Sequence, residues 1–120
     1  MKLQLIQPQE VEVFYIIPAI RREMSIAMKS AGVKQKEIAR RLCVEESTIS
    51  QYLHDKRAAT LALTGGVKKA IAESSVKVKD KTTLIAETQK LLGIIKKEKL
   101  LCRIHTAVSD VPKSCNACFV

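Results

Sequence analysis

Four residues near the C-terminus have types and spacing that could bind a metal ion. They are Cys102, His105, Cys115 and Cys118, in the pattern C-x2-H-x9-C-x2-C. Each close pair could hold one metal ion from a tight turn, and three thiolates with one imidazole form a closed tetrahedral site for zinc. The same ligands suit an iron–sulfur cluster, because histidine can replace a thiolate. The pattern therefore predicts a site for zinc, which the spacing slightly favours, or for an iron–sulfur cluster.

The remaining cysteine, Cys43, offers an alternative ligand set. If it replaced His105, the ligands would be Cys43, Cys102, Cys115 and Cys118. The metal would then be tied to the middle of the chain. A cysteine at this place is more often a small apolar residue. The alternative for the tail is that its cysteines are unrelated thiols beside a surface histidine. The N-terminal residues lack the order of a secretory signal, so we expect a cytoplasmic protein without disulfides.

A second set of polar residues, within residues 35–54, could read DNA. The stretch QKEIARRLCVEESTISQYLH contains two short amphipathic helical patterns separated by a tight turn. The small Ala39 would let the two helices cross at close range, with Ile49 packed against it. The predicted inward-facing residues are Ile38, Ala39, Leu42, Val44, Ile49 and Leu53. The stretch is therefore predicted to be a helix-turn-helix.

The second of these helices presents short polar side chains, which suit the donor and acceptor pattern of the major groove. Gln51 can pair bidentately with adenine, and Glu45 or Glu46 can accept a hydrogen bond from cytosine. Two basic residues just after the helix can hold backbone phosphates. The residues predicted to contact DNA are Glu46, Ser47, Thr48, Ser50, Gln51, His54, Lys56 and Arg57.

These residues make the stretch resemble the repressor-type (Xre/Cro-like) helix-turn-helix regulators. Gln35, Ala39, Leu42 and Ile49 stand at its first, fifth, eighth and fifteenth positions, where that family has Gln, Ala, an apolar residue and Val or Ile. The flanking segments IIPAIRREMSIAMKSAGVKQKEIARRL and STISQYLHDKR resemble small archaeal predicted regulators with a Cys/His-rich tail. The resemblance implies a transcriptional regulator in which Gln35 bonds a phosphate. Cys43 replaces the usual glycine of the turn, so the turn is either strained or differently shaped.

The charge balance also favours a polyanionic partner. The chain has 21 basic and 12 acidic residues, for a net charge of +9. Residues 1–60 carry +3 and residues 61–120 carry +6, so the excess lies mainly outside the helix-turn-helix. Either the second half also touches phosphates, or its lysines keep an exposed helix soluble. Two Phe and two Tyr are too few for single-strand stacking platforms, which favours duplex DNA.

Helical patterns also flank the predicted motif. Residues 10–17 could be helical or extended, after which Pro18 begins a helix that ends at Gly32. Beyond the motif, a short helical pattern follows a Gly65-Gly66 break and residues 74–81 look like a connector. Asp80 or Thr82 could cap a long final helix. Its apolar stripe is Leu84, Ile85, Thr88, Leu91, Leu92 and Ile95.

We therefore predict an all-α protein with two regions. Residues 1–64 form a helix-turn-helix DNA-binding domain, and residues 65–120 form a helical dimerisation and metal-binding region. The long stripe suggests a homodimer. No apolar run could cross a membrane, and no phosphate loop, carboxylate pair or activated nucleophile indicates an enzyme or a small-molecule substrate. The alternative is a zinc or iron–sulfur redox protein that uses the helix-turn-helix for protein contacts.

Overall fold

A computed structural model of the chain describes residues 5–54, 63–109, 111, 115 and 117. These residues form helices and contain no β-strand, which confirms the all-α prediction. The helices are α1 (Pro8–Val11), α2 (Ile17–Ser30), α3 (Gln35–Leu42), α4 (Glu46–His54), α5 (Gly65–Lys77), α6 (Lys81–Lys97) and α7 (Leu100–Val108), with a π-helical segment (Glu12–Ile16) between α1 and α2.

Residues 10–17 are helical throughout, which settles the two alternatives for this segment. The chain runs from α1 through the π-helical segment into α2, with Pro18 in the first turn of α2 as expected. Val11 and Ile16 are buried, whereas Val13 and Phe14 are exposed. The wider π-helical turn thus places two neighbouring apolar side chains outside the core.

Helix α2 packs against both α4 and α5. Ile20, Met24 and Met28 lie one turn apart and are fully buried, so the two methionines fill the core. The helix ends at Ser30, and Gly32 follows with a φ of 89°. Glycine reaches this left-handed region at little cost, which lets the chain turn sharply towards α3.

The predicted connector at residues 74–81 is wrong over its first half, because α5 continues to Lys77. Ser74 and Ser75 are buried within the helix, and the Ser75 hydroxyl donates to the Ala72 carbonyl at 2.7 Å. A serine whose hydroxyl bonds the preceding turn is compatible with a helix interior. The predicted break at the two glycines is likewise the start of α5, where the Thr64 side chain accepts from Val67 N at 3.2 Å.

Helix α6 begins at the predicted cap, Asp80, whose carboxylate accepts from Thr83 N at 2.8 Å. Its stripe lies mostly inside the chain, because Leu91 and Ile95 are fully buried and Leu84 and Leu92 pack against the core. Ile85 differs, since it is 63% exposed. Most of the stripe is therefore used within one copy of the protein.

A shared hydrophobic core joins the two predicted regions. Helix α5 packs against α2 and α6, α3 contacts α6, and α7 lies against α1 and α6. The buried cluster extends from Val11 to Leu101 and includes side chains from both sides of residue 64. The predicted boundary between residues 64 and 65 falls at the start of α5, and buried side chains from both sides of it pack into this one cluster. No helix among the described residues is long and apolar enough to cross a membrane.

Candidate nucleic-acid interface and metal ligands

The α3–α4 pair has the short turn that the sequence predicted. Residues 43–45 separate the helices, and Cys43 adopts the left-handed conformation with φ 55° and ψ 41°. Val44 N then donates to the Ala39 carbonyl at 3.1 Å, which is a Schellman-type end of a helix. Cys43 therefore takes a backbone conformation that favours glycine, at a cost of roughly 1–2 kcal/mol for a residue with a Cβ.

The inner face of the pair is anchored in the core. Ile38, Leu42 and Ile49 are fully buried and Ala39 is nearly so, while Val44 and Leu53 are partly buried against the same cluster. These positions match the inward-facing set predicted from helical spacing. The position of α4 is consequently determined by packing.

The outer face of α4 presents most of the predicted DNA-contacting side chains to solvent. Glu46, Ser47, Gln51 and His54 are exposed, and Thr48 and Ser50 are half-buried. The exposed residues run from one end of this nine-residue helix to the other, over about 12 Å. Lys56 and Arg57 lie outside the described residues. Helix α4 thus has a polar, accessible face, and its opposite face is held in the hydrophobic core.

Gln35 connects the starts of the two helices. Its side-chain Nε2 donates to the backbone carbonyl of Glu46 at 3.3 Å, so the N-terminal ends of α3 and α4 lie side by side. An amide nitrogen carries two hydrogens, so a second donor remains besides this bond. Sequence reasoning predicted a phosphate contact for Gln35 but missed its contact with α4.

Glu37 pairs with two of the basic residues on α3. Arg40 Nη2 and Arg41 Nε lie 2.6 and 3.1 Å from Glu37 Oε1. Hydrogen bonds from Arg40 and Arg41 lower the pKa of the Glu37 carboxyl from 4.5 to about 2. Because the folded-state pKa is depressed, this pairing contributes at neutral pH and is lost as the pH falls from 4.5 towards 2. The group is exposed, so solvent screens the contribution.

Arg40 of α3 also interacts electrostatically with Asp80 at the start of α6. Hydrogen bonds from Thr83 are the main cause of the lowered pKa of Asp80, and the nearby Arg40 guanidinium adds to it. The end of α3 and the capped start of α6 are thus close enough to interact electrostatically. The sequence pattern did not reveal this, because the two residues are 40 positions apart.

The first pair of predicted metal ligands lies on a helix. We expected Cys102 and His105 in a tight turn, and this was wrong, because both belong to α7. Three residues apart on a helix, they occupy neighbouring positions on one face. Cys102 is partly buried and His105 is 8% exposed.

The ring of His105 contacts the N-terminal segment. Its Nε2 lies 2.5 Å from the Ile6 carbonyl oxygen, and the Ile6 N–H donates to Ser109 Oγ at 2.8 Å. A carbonyl only accepts, so Nε2 carries a hydrogen and donates it to the Ile6 oxygen. Both backbone polar groups of Ile6 are thereby bonded to side chains about 100 residues away.

The other candidate ligands that the structure describes are exposed thiols. Cys43 and Cys115 are exposed free thiols, and Cys118 lies outside the described residues. Among the described residues, no group of three or more His, Cys, Asp or Glu side chains is placed to hold a metal ion. Both predicted ligand sets include Cys118, so the metal site stays a prediction.

Comparison with known proteins does not assign the chain to a family. No family model, curated protein or solved structure matches it. The resemblance of residues 35–54 to repressor-type regulators therefore stays a prediction.

Proposed function

We propose that the protein is a transcriptional regulator that binds specific duplex DNA sequences through a helix-turn-helix formed by α3 and α4. The supporting observation is the exposed polar face of α4, opposite an apolar face buried in the core. Base recognition requires side chains that reach the groove from a support that does not shift. The α3–α4 pair combines both properties.

In this proposal α4 enters the major groove and α3 lies across the DNA backbone. Gln51 pairs with adenine, Ser47 reaches a base or phosphate, and Glu46 accepts from cytosine. Gln35 donates its second amide hydrogen to a phosphate while its first holds α4. Glu46 also lies in the first turn of α4, where the positive end of the helix dipole favours a carboxylate.

Selection of binding sites from random duplexes tests the proposal. The full-length protein is expected to enrich a defined sequence at low salt, and Gln51→Ala and Ser47→Ala are expected to weaken binding to it. A protein that retains no duplex, or enriches none above the starting pool, contradicts the regulator function. It would favour a redox protein that uses the helix pair for protein contacts.

The protein is further proposed to act as a homodimer, because two copies of α4 could then read half-sites about one turn of DNA apart. Leu91 and Ile95 are buried in the chain's own core, so the contact would use the side of α6 that exposes Ile85. Light scattering at micromolar concentration is expected to give the mass of two chains. The mass of one chain, both with and without DNA, contradicts the dimer.

The tail is proposed to hold zinc or an iron–sulfur cluster, with zinc as a structural ion or the cluster as a redox or metal sensor. His105 is suited to this, because Nε2–H bonded to a carbonyl orients the ring and leaves Nδ1 for a metal. Cys102 lies one turn away on the same helix. Cys115 and Cys118 would complete the set, or Cys43 would replace His105.

Metal analysis with an anaerobic absorption spectrum distinguishes these possibilities. Iron with visible absorption indicates a cluster, and a colourless protein with bound zinc indicates a structural site. We expect Cys102→Ser and Cys118→Ser to lower the bound metal severalfold, with His105→Ala acting similarly and Cys43→Ser without effect. The reverse result for His105 and Cys43 identifies the alternative set, and a protein with neither metal contradicts the site.

A further inference from the structure

The start of α5 lies beside the corner where α6 turns into α7. The Thr64 hydroxyl is 3.4 Å from Glu98 Oε2, and a Cβ on Gly66 would lie 4.0 Å from Glu98 Oε1. The corner itself is tight, because Lys99 adopts the left-handed conformation with φ 60° between the two helices. Residues far apart in sequence are therefore close together here.

This corner gathers much of the positive charge of the second half. We define the corner patch as the exposed basic residues Lys68, Lys69, Lys96, Lys97, Lys99 and Arg103. They are six of the eleven basic residues between positions 61 and 120, whereas Glu98 is one of five acidic residues there. The positive end of the α5 dipole points to the same corner. The charge of residues 61–120 is thus concentrated rather than spread along one helix.

The composition of the patch favours a polyanion over a protein partner. Stable protein interfaces centre on apolar or aromatic side chains that become buried. Val67, Leu100 and Leu101 in these segments are already buried, and the exposed large apolar residues of the described chain lie elsewhere. A surface of lysines without an apolar centre suits a repeating charge such as the DNA backbone.

The patch also follows the recognition helix along the chain. Helix α4 ends at His54 and α5 begins at Gly65, with Lys56 and Arg57 between them in the sequence. We propose that the corner patch binds backbone phosphates of duplex DNA next to the bases that α4 reads. This inference rests on the proposed function and names a second, sequence-independent contact for it.

The salt dependence of DNA binding tests the patch. The variant Lys69→Gln/Lys96→Gln/Lys97→Gln is compared with Lys77→Gln/Lys79→Gln/Lys81→Gln, whose lysines are also exposed but lie around the α5–α6 connection. Both lower the net charge from +9 to +6. Binding constants are measured by fluorescence anisotropy at several salt concentrations, on the selected duplex and on an unrelated duplex.

The patch variant is expected to lose roughly 2–3 units from the slope of log K against log salt, because each lost phosphate contact removes about 0.9. The control variant is expected to lose less than about one unit. The ratio of affinities for the two duplexes should stay the same in both, since phosphate contacts carry no sequence information. Circular dichroism melting should show that both variants fold like the wild type.

The outcomes separate this inference from the proposed function. If the wild type binds no duplex, both fail. If it binds a specific duplex but the patch variant keeps the wild-type slope, only the corner patch is excluded. Equal losses in the patch and control variants would show a general effect of net charge and also overturn it.

Discussion

Replacing Ile49 with alanine is expected to lower the free energy of unfolding by about 2–5 kcal/mol. Ile49 is the fully buried residue of α4 and belongs to the same buried cluster as Ile38, Ala39 and Leu42 of α3, the helix that α4 contacts. Truncation removes apolar surface from the core and leaves a cavity beside the crossing of the two helices. Since α4 depends on this contact for its position, DNA affinity should fall as well.

The control for this change is Val76→Ala, which also truncates a β-branched apolar side chain to alanine, but on α5 and at a position that is 67% exposed. It should alter stability by no more than about 0.5 kcal/mol. Urea denaturation followed by circular dichroism measures both, and an unchanged m-value shows that only stability has changed. Similar losses for the two variants would contradict the arrangement of α3 and α4 described above.

Replacing Gln51 with alanine is expected to weaken binding to the selected duplex by about 1–3 kcal/mol, or roughly 5- to 150-fold. Gln51 is exposed in the middle of α4, and its side-chain amide has a donor and an acceptor that complement the acceptor and donor of adenine. Specificity should relax at one base pair, because alanine leaves that base unread. Stability should stay near the wild-type value, since Gln51 is outside the core.

Gln9→Ala is the control, because Gln9 is also exposed but lies on α1. Binding is measured by anisotropy on the selected duplex and on duplexes with single base-pair changes. Gln51→Ala should bind the original and one altered duplex about equally, while Gln9→Ala keeps the wild-type preference. If both variants keep the wild-type affinity and preference, α4 does not read the DNA through Gln51.

The experiments on the corner patch and on Gln51 report on different parts of the same proposed complex. Gln51 should change the preference among duplexes, whereas the patch lysines should change affinity and salt dependence for all duplexes alike. A double change in both should therefore be close to additive, because Gln51 contacts a base whereas the patch contacts phosphates.

Local sequence features were sufficient to predict most helices and the inner face of the α3–α4 pair. The caps at Gly32 and Asp80 follow from the chemistry of single residues and their immediate neighbours. The left-handed backbone at Cys43 does not, because a side chain disfavours it, and the sequence left a strained turn and a differently shaped turn as alternatives. The burial of Ala39 and Ile49 follows from helical spacing, since one apolar face must be covered. These features depend on interactions over a few residues, which the sequence displays directly.

The errors in the sequence interpretation arise where local features do not decide the structure. Ser74 and Ser75 look like a connector by propensity, but they are buried where α5 packs against its neighbours, and tertiary packing overrides a weak local preference. Cys102 and His105 match a metal-binding spacing, but this spacing occurs both in tight turns and on helices and cannot distinguish them.

The tertiary structure alone decided which distant residues meet. It placed the Ile6 backbone against His105 and Ser109, Arg40 near Asp80, and Thr64 against Glu98. Net charge was visible in the sequence, but its concentration at the corner of α5, α6 and α7 was not. The physical reason is that periodicity shows which face of a helix must be buried, whereas the choice of partner depends on the packing of all the helices together.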